Sequence, residues 1–134
     1  MPFAEWMPRL EVQVEALDSQ HRTLFDGINR LWDAYQTEDG PELLAVFAFL
    51  SDYADRHFQD EEDLMGRAGY AERETHRMLH QDFRARIQAF GERLGQAPHS
   101  VALDLLGYLR DWLVHHIGQE DRRLGAFLHS KGIH

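Results

Sequence analysis

The segments His57-Phe-Gln-Asp-Glu61 and His76-Arg-Met-Leu-His80 each place two metal-binding side chains four residues apart. Residues at this spacing project from one face of an α-helix, so each pair can hold one ion from one side. The segment His116-Ile-Gly-Gln-Glu-Asp121 lies further along the chain, and His21 precedes all of these residues. Five imidazoles and two carboxylates on four helical segments indicate a site for two metal ions.

The segments around these residues have the periodicity of amphipathic helices, with apolar side chains at steps of three and four. We predict four helices, over about residues 18–36, 42–65, 72–94 and 101–119. Short turns rich in glycine and proline separate them, so consecutive helices should be antiparallel neighbours. The predicted fold is therefore all-α, an antiparallel up-down-up-down four-helix bundle.

The two ends of the chain lie outside the predicted helices. Residues 1–17 contain two prolines and the alternating Leu10, Val12 and Val14, which predicts an extended, weakly strand-like arm that covers the bundle. Asp18 is a suitable N-cap for the first helix. Residues 120–134 form a C-terminal segment, and the whole chain is predicted to be one domain.

The helix directions should bring the metal-binding side chains together at one end of the bundle. These residues lie near the start of the first and third helices and near the end of the second and fourth. Because alternate helices run in opposite directions, all of them fall at one level. A lone buried histidine is usually a hydrogen-bonded core residue, but five core imidazoles without a bound ion would cost too much desolvation.

The composition narrows the classes of function. The chain has 134 residues, a net charge of −9 and no cysteine. The charge argues against binding to nucleic acid or to an anionic membrane surface, and the missing cysteines exclude disulfides and thiolate ligands. The apolar runs are too short to insert into a membrane, and residues 1–12 lack the basic start and apolar core of a signal peptide. We therefore expect a cytoplasmic protein.

The types of donor narrow the choice of metal. Imidazole suits iron, copper, zinc and nickel, while bridging carboxylates favour hard, highly charged ions. On a pair of six-coordinate ions, five histidines, two bridging carboxylates and one bridging oxygen leave one position open, and an open position binds a ligand. The carboxylate that acts together with His116 could be Glu120 or Asp121. Regular helical spacing places Glu120 rather than Asp121 on the face of His116. We expect the remaining histidines to be exposed: His99, His115, His129 and His134.

Taken together, the metal-binding segments resemble the bacterial hemerythrins. The resemblance rests on four stretches: Asp18-Ser-Gln-His21-Arg-Thr-Leu-Phe25, His57-Phe-Gln-Asp-Glu61-Glu-Asp-Leu-Met65, Gly69-Tyr70 before the pair His76 and His80, and Trp112-Leu-Val-His-His116-Ile117 with Asp121. It covers nearly the whole chain, including the arm with Trp6, and fills all seven ligand positions. It implies two non-haem iron ions, bridged by an oxo or hydroxo group and two carboxylates, that bind O2 reversibly.

The resemblance also implies a role for each residue of the site. By the family pattern, one iron would be held by His76, His80 and His116, and the other by His21 and His57. Glu61 and Asp121 would bridge the two, so the family pattern selects Asp121 over Glu120. O2 would bind end-on at the iron held by two histidines, in a pocket that keeps out water: Leu24, Phe25, Trp112, Leu113 and Ile117.

The expected function is that of an O2 carrier, store or scavenger rather than an enzyme, with nitric oxide or small anions as alternative ligands. Two other functions are compatible with the sequence. The first is a diiron oxidase, peroxidase or ferroxidase, although such carboxylate-rich enzymes use a Glu-x-x-His motif that is missing here. The second is a sensor of O2 or nitric oxide that acts through a separate partner, because the chain has no room for a fused sensory domain.

Overall fold

The structure is a computed structural model that describes residues 2–134. Its α-helices are α1 (Glu15–Gln36), α2 (Gly40–Ala68), α3 (Arg73–Gln96), α4 (Pro98–His116) and α5 (Arg122–Ser130). A π-helical turn, Ile117–Asp121, joins α4 to α5 without a break, so the fourth helix of the bundle continues through α5. The arm contains one 3-10 turn, Pro8–Leu10, and residues 2–134 contain no strand.

The helices pack around one apolar core as an antiparallel four-helix bundle, which confirms the predicted fold class. Helix α1 packs against α2 and α4, and α3 packs against α2 and α4, so the four form a closed ring. Asp39 caps α2 by accepting a hydrogen bond from the backbone N–H of Glu42. Gly69 ends the same helix with a φ of 72°, a left-handed conformation that favours glycine. None of the helices in residues 2–134 combines the length and apolar character needed to cross a membrane.

The start of the first helix differs from the prediction. Helix α1 begins at Glu15, and Val14 rather than Asp18 occupies the N-cap position. Asp18 lies in the first helical turn, where its buried carboxylate accepts hydrogen bonds from the backbone N–H groups of Val12, at 2.8 Å, and Gln13, at 3.2 Å. The carboxylate therefore fastens the preceding arm to the helix instead of capping it.

The arm covers the bundle as an irregular segment. Leu10, Val12 and Val14 are all buried, as their alternation predicts. A bend at Gln13, with a φ of 69°, interrupts the extended backbone, and residues 2–14 form no strand. Leu10 packs close to Gly118 of the π turn, and Val12 packs against Gly125 of α5. Met1, the first residue of the predicted arm, lies outside the described residues.

Candidate metal centre

Helices α1 and α2 contribute three polar side chains to one buried cluster. His21 lies on the buried face of α1, and His57 and Glu61 lie one turn apart on the buried face of α2. The Nε2 atoms of the two imidazoles are 3.1 Å apart, and Oε2 of Glu61 lies 3.2 Å from Nε2 of His57. The two helices thus direct these groups at a common space.

Helix α3 adds two imidazoles on the other side of the same carboxylate. His76 and His80 are one helical turn apart, and both are buried. Oε1 of Glu61 lies 3.0 Å from Nε2 of His76 and 3.2 Å from Nε2 of His80. The two oxygens of Glu61 therefore face different pairs of histidines.

The π turn brings Asp121 into the cluster beside His116. In a π-helix the hydrogen bonds join residues five apart, so residues at this spacing share a face. Oδ1 of Asp121 lies 3.0 Å from Nε2 of His76 and 3.1 Å from Nε2 of His116, while Oδ2 lies 3.1 Å from Nε2 of His21. Glu120 points away from the cluster, toward Arg123 at 3.9 Å and a surface cleft.

The seven side chains form two groups that share both carboxylates. One group consists of Glu61, His76, His80, His116 and Asp121, and the other of His21, His57, Glu61 and Asp121. Within each group, one nitrogen or oxygen atom of every residue lies within 4.8 Å of those of the others. None of the seven residues is more than 3 % exposed. Each group could hold one metal ion. The other four histidines are exposed.

Burial and the close carboxylates change the pKa values in the cluster. Burial opposes the charged form of His21 and of His76, but contacts with Asp121 and Glu61 outweigh it and raise the pKa to about 9 and about 10. For His57, burial prevails and the pKa falls below its usual value. Burial opposes ionisation of Glu61, yet His57, His21 and His76 hold its pKa well below the ordinary range. The ionised carboxylates therefore attract positive charge to this space.

The hydrogen bonding of the cluster is incomplete in a way that a cation would correct. Among the side chains of residues 2–134, Oε2 of Glu61 and both carboxylate oxygens of Asp121 are buried without a hydrogen-bond partner. Imidazole nitrogens lie close to them but outside hydrogen-bonding geometry. Buried carboxylates without hydrogen bonds are costly, whereas a metal ion satisfies them directly. The donor set of imidazoles with shared carboxylates suits iron.

Two residues next to the cluster were missed by the spacing patterns. Oε1 of Gln20 lies 2.6 Å from Nδ1 of His57, and Oε2 of Glu62 lies 2.8 Å from Nδ1 of His80. Each adjoins a predicted ligand in the sequence, but helical spacing directs neighbouring residues to different faces. Only the packing of α1 and α3 against α2 brings them to a histidine on another helix.

The chain matches a known family over most of its length. Residues 12–128 match the family model of the hemerythrin HHE cation-binding domain. This chain belongs to the hemerythrin family. It is 34 % identical to the bacteriohemerythrin of Pseudomonas aeruginosa over 121 residues, which cover 90 % of this chain and 78 % of that protein. With hemerythrin subunit alpha of Lingula anatina it shares 34 % identity over 123 residues, or 90 % of each chain. A crystal structure of wild-type hemerythrin is similar with a TM-score of 0.84 at 31 % identity, covering 92 % of this chain and 96 % of that one.

In this hemerythrin-family bundle, an apolar cavity lies next to the cluster. Its lining includes Leu24, Ala54, Phe83 and Leu113, each three residues from one of the buried histidines. Leu24 and Leu113 are thus the two predicted pocket residues that line this cavity. The others lie elsewhere around the cluster: Phe25 and Ile117 are buried outside the cavity lining, and half-buried Trp112 stacks on His116 with ring centroids 4.4 Å apart.

Proposed function

We propose that this chain binds O2 reversibly at a pair of non-haem iron ions. The observation that carries the proposal is the pair of buried groups that share Glu61 and Asp121, with the two oxygens of each carboxylate facing different histidines. This arrangement suits two adjacent ions joined by two carboxylates. The chain belongs to the hemerythrin family, and the family model that it matches is that of a cation-binding domain, which supports the proposal.

The proposed ligands follow the two groups of the cluster. His76, His80 and His116 would hold one iron, and His21 and His57 would hold the other, with Glu61 and Asp121 bridging both. The group with two histidines has fewer protein donors, so an iron held there would leave a position open for O2, nitric oxide or a small anion. When bound, the two ferrous ions supply the electrons that O2 binding draws on.

The rest of the site keeps the bound ligand from reacting further. Leu24 and Leu113 line the apolar cavity beside the cluster, whose lining has one hydroxyl group, that of Ser51, and no ionisable side chain. An apolar, water-excluding pocket limits the supply of protons, so the ligand can leave unchanged. The imidazole-rich donor set also carries less negative charge than a carboxylate-rich one, which favours ferrous iron over high-valent states. These features favour a binding protein over an oxidase.

The direct test is metal analysis followed by O2 cycling. We expect two irons per chain and a colour that appears when O2 is added to anaerobic ferrous protein and disappears when O2 is removed. One metal ion per chain, or zinc retained in place of iron, would contradict the diiron site. A colour that does not reverse, accompanied by substrate turnover, would support the enzyme instead.

Two adjacent histidines provide a matched pair of variants. His116→Ala removes a buried member of the larger group, so it should lower the iron content. His115→Ala removes the neighbouring exposed imidazole and should leave the iron content at two per chain. Equal iron content in both variants would count against the assignment of His116.

A further inference from the structure

Two of the five clustered imidazoles are held at their outward nitrogen by different chemical groups. Nδ1 of His57 lies 2.6 Å from the amide oxygen of Gln20, and Nδ1 of His80 lies 2.8 Å from a carboxylate oxygen of Glu62. The amide of Gln20 is neutral, whereas the carboxylate of Glu62 carries a negative charge when it is ionised. Since His57 and His80 belong to different groups of the cluster, the two metal positions have different surroundings.

The hydrogen bonds determine which nitrogen of each ring faces the metal position. A carboxylate only accepts a hydrogen bond, so Nδ1–H of His80 donates to Glu62 and its Nε2 keeps a free lone pair. Gln20 could present either end of its amide, but its Nε2 donates to Asp60 at 2.9 Å, which turns its oxygen toward His57. Both imidazoles are therefore fixed as Nε2 ligands.

Several contacts hold Glu62 in place. Nη1 of Arg84 lies 3.5 Å from its Oε2, and Nε of the same guanidinium binds Asp55 at 2.7 Å. The guanidinium also lies over the ring of Phe58, at 5.3 Å, and Phe58 stacks on His80 with ring centroids 4.0 Å apart. His80 is thus held at one edge by Glu62 and on one face by Phe58.

We propose that Glu62 is a positioning residue that makes its metal position more electron-rich than the one served by Gln20. A carboxylate that accepts the outward N–H of an imidazole raises the basicity of the opposite nitrogen, and an amide does so less. The group that contains His80 therefore stabilises the more highly charged ion better than the group that contains His57. This inference rests on the proposed two-metal function and extends it to a difference between the ions.

A pair of isosteric substitutions tests the inference. Glu62→Gln keeps an acceptor but removes the charge, while Gln20→Glu adds a charge at the other position. Glu62→Gln should raise the midpoint potential of the iron pair and weaken Co²⁺ binding at one position by roughly 10- to 100-fold. Gln20→Glu should lower the potential. Glu92→Gln, which removes an exposed carboxylate outside the cluster, should change neither quantity.

A third measurement does not depend on metal loading. In metal-free protein labelled with ¹⁵N-histidine, the Nδ1–H signal of His80 should move upfield in Glu62→Gln and stay in place in Glu92→Gln. The inference is overturned if Glu62→Gln leaves this signal, the potential and the Co²⁺ affinity at their wild-type values. Wild-type protein that takes up no second ion would instead contradict the diiron site, and the histidine signal would still decide whether Glu62 positions His80.

Discussion

Replacing Gly125 by alanine should show how strongly the N-terminal arm is held against α5. Gly125 is buried, and a Cβ added there would lie 2.8 Å from Cβ and 3.1 Å from the carbonyl carbon of Val12. Neither atom can rotate away, so the backbone of the arm must move. That backbone is bound to the buried carboxylate of Asp18 through the N–H groups of Val12 and Gln13. The substitution therefore strains these hydrogen bonds as well as the packing.

The expected loss follows from three contributions. Alanine is favoured over glycine inside a helix by about 1 kcal/mol, which stabilises the variant. Overpacking costs roughly 1–3 kcal/mol. Weakening a hydrogen bond to a charged group costs roughly 1.5–3 kcal/mol when the bond is lost. We expect the free energy of unfolding to fall by about 2 kcal/mol, which corresponds to a melting temperature about 8 °C lower.

Thermal and urea unfolding of the metal-free protein, followed by circular dichroism, measures this loss. Gly107→Ala is the matched control, because Gly107 lies inside α4 and an added Cβ there meets no atom within 4 Å. That variant should gain stability of about 1 kcal/mol from helix propensity. If Gly125→Ala melts at or above the wild-type temperature, as the control should, the arm is loosely held and the reasoning is refuted.

The remaining predictions concern the π turn, the apolar cavity and the metal-free site. Asp121→Ala should lower the iron content, whereas Glu120→Ala should leave it unchanged; metal analysis giving the reverse would mean that Glu120 is the bridge. Leu113→Ala should lose roughly 2–5 kcal/mol of stability and also speed the irreversible loss of colour after O2 is added, because water enters the cavity. Leu31→Ala, which changes a buried residue at the far end of α1, should lose similar stability without the faster colour loss. Equal rates of colour loss in both variants would mean that Leu113 only packs the core. The metal-free protein should become less stable at alkaline pH, because two site histidines have a pKa raised from 6.5 to about 9 and about 10. Their contribution is fully present below pH 6.5 and is lost as the pH rises through 9 and 10, so melting temperatures that stay constant between pH 6.5 and pH 10 would contradict these shifts.

Most of the fold could be predicted from the sequence, because the apolar side chains recur with regular helical periodicity. The apolar stripes and the short turns gave all four helices of the bundle, with ends within a few residues of those observed. The fourth helix continues past its predicted end, through the π turn and α5. Helix α1 begins at Glu15 rather than at Asp18, because the carboxylate of Asp18 binds the arm and does not cap the helix. Spacing along one segment carries no information on such a contact with a neighbouring segment.

The same limit applies to the candidate site. The HxxxE and HxxxH pairs could be found because regular α-helical spacing places both members on one face. The spacing of His116 and Asp121 is not regular, and only the family pattern selected Asp121; the structure shows the π turn that directs it inward. Gln20 and Glu62 could not be found at all, since their partners belong to other helices.

The shared position of Asp121 has a consequence for the order of events during protein synthesis. Both groups of the cluster contain this residue, which follows the first histidine by a hundred positions in the chain. While a ribosome is still making the fourth helix, the nascent chain already displays His21, His57, His76 and His80, but neither group is complete. On the proposed function, both metal positions would be completed in one late step, and incorporation of the ions would report that the whole bundle has folded.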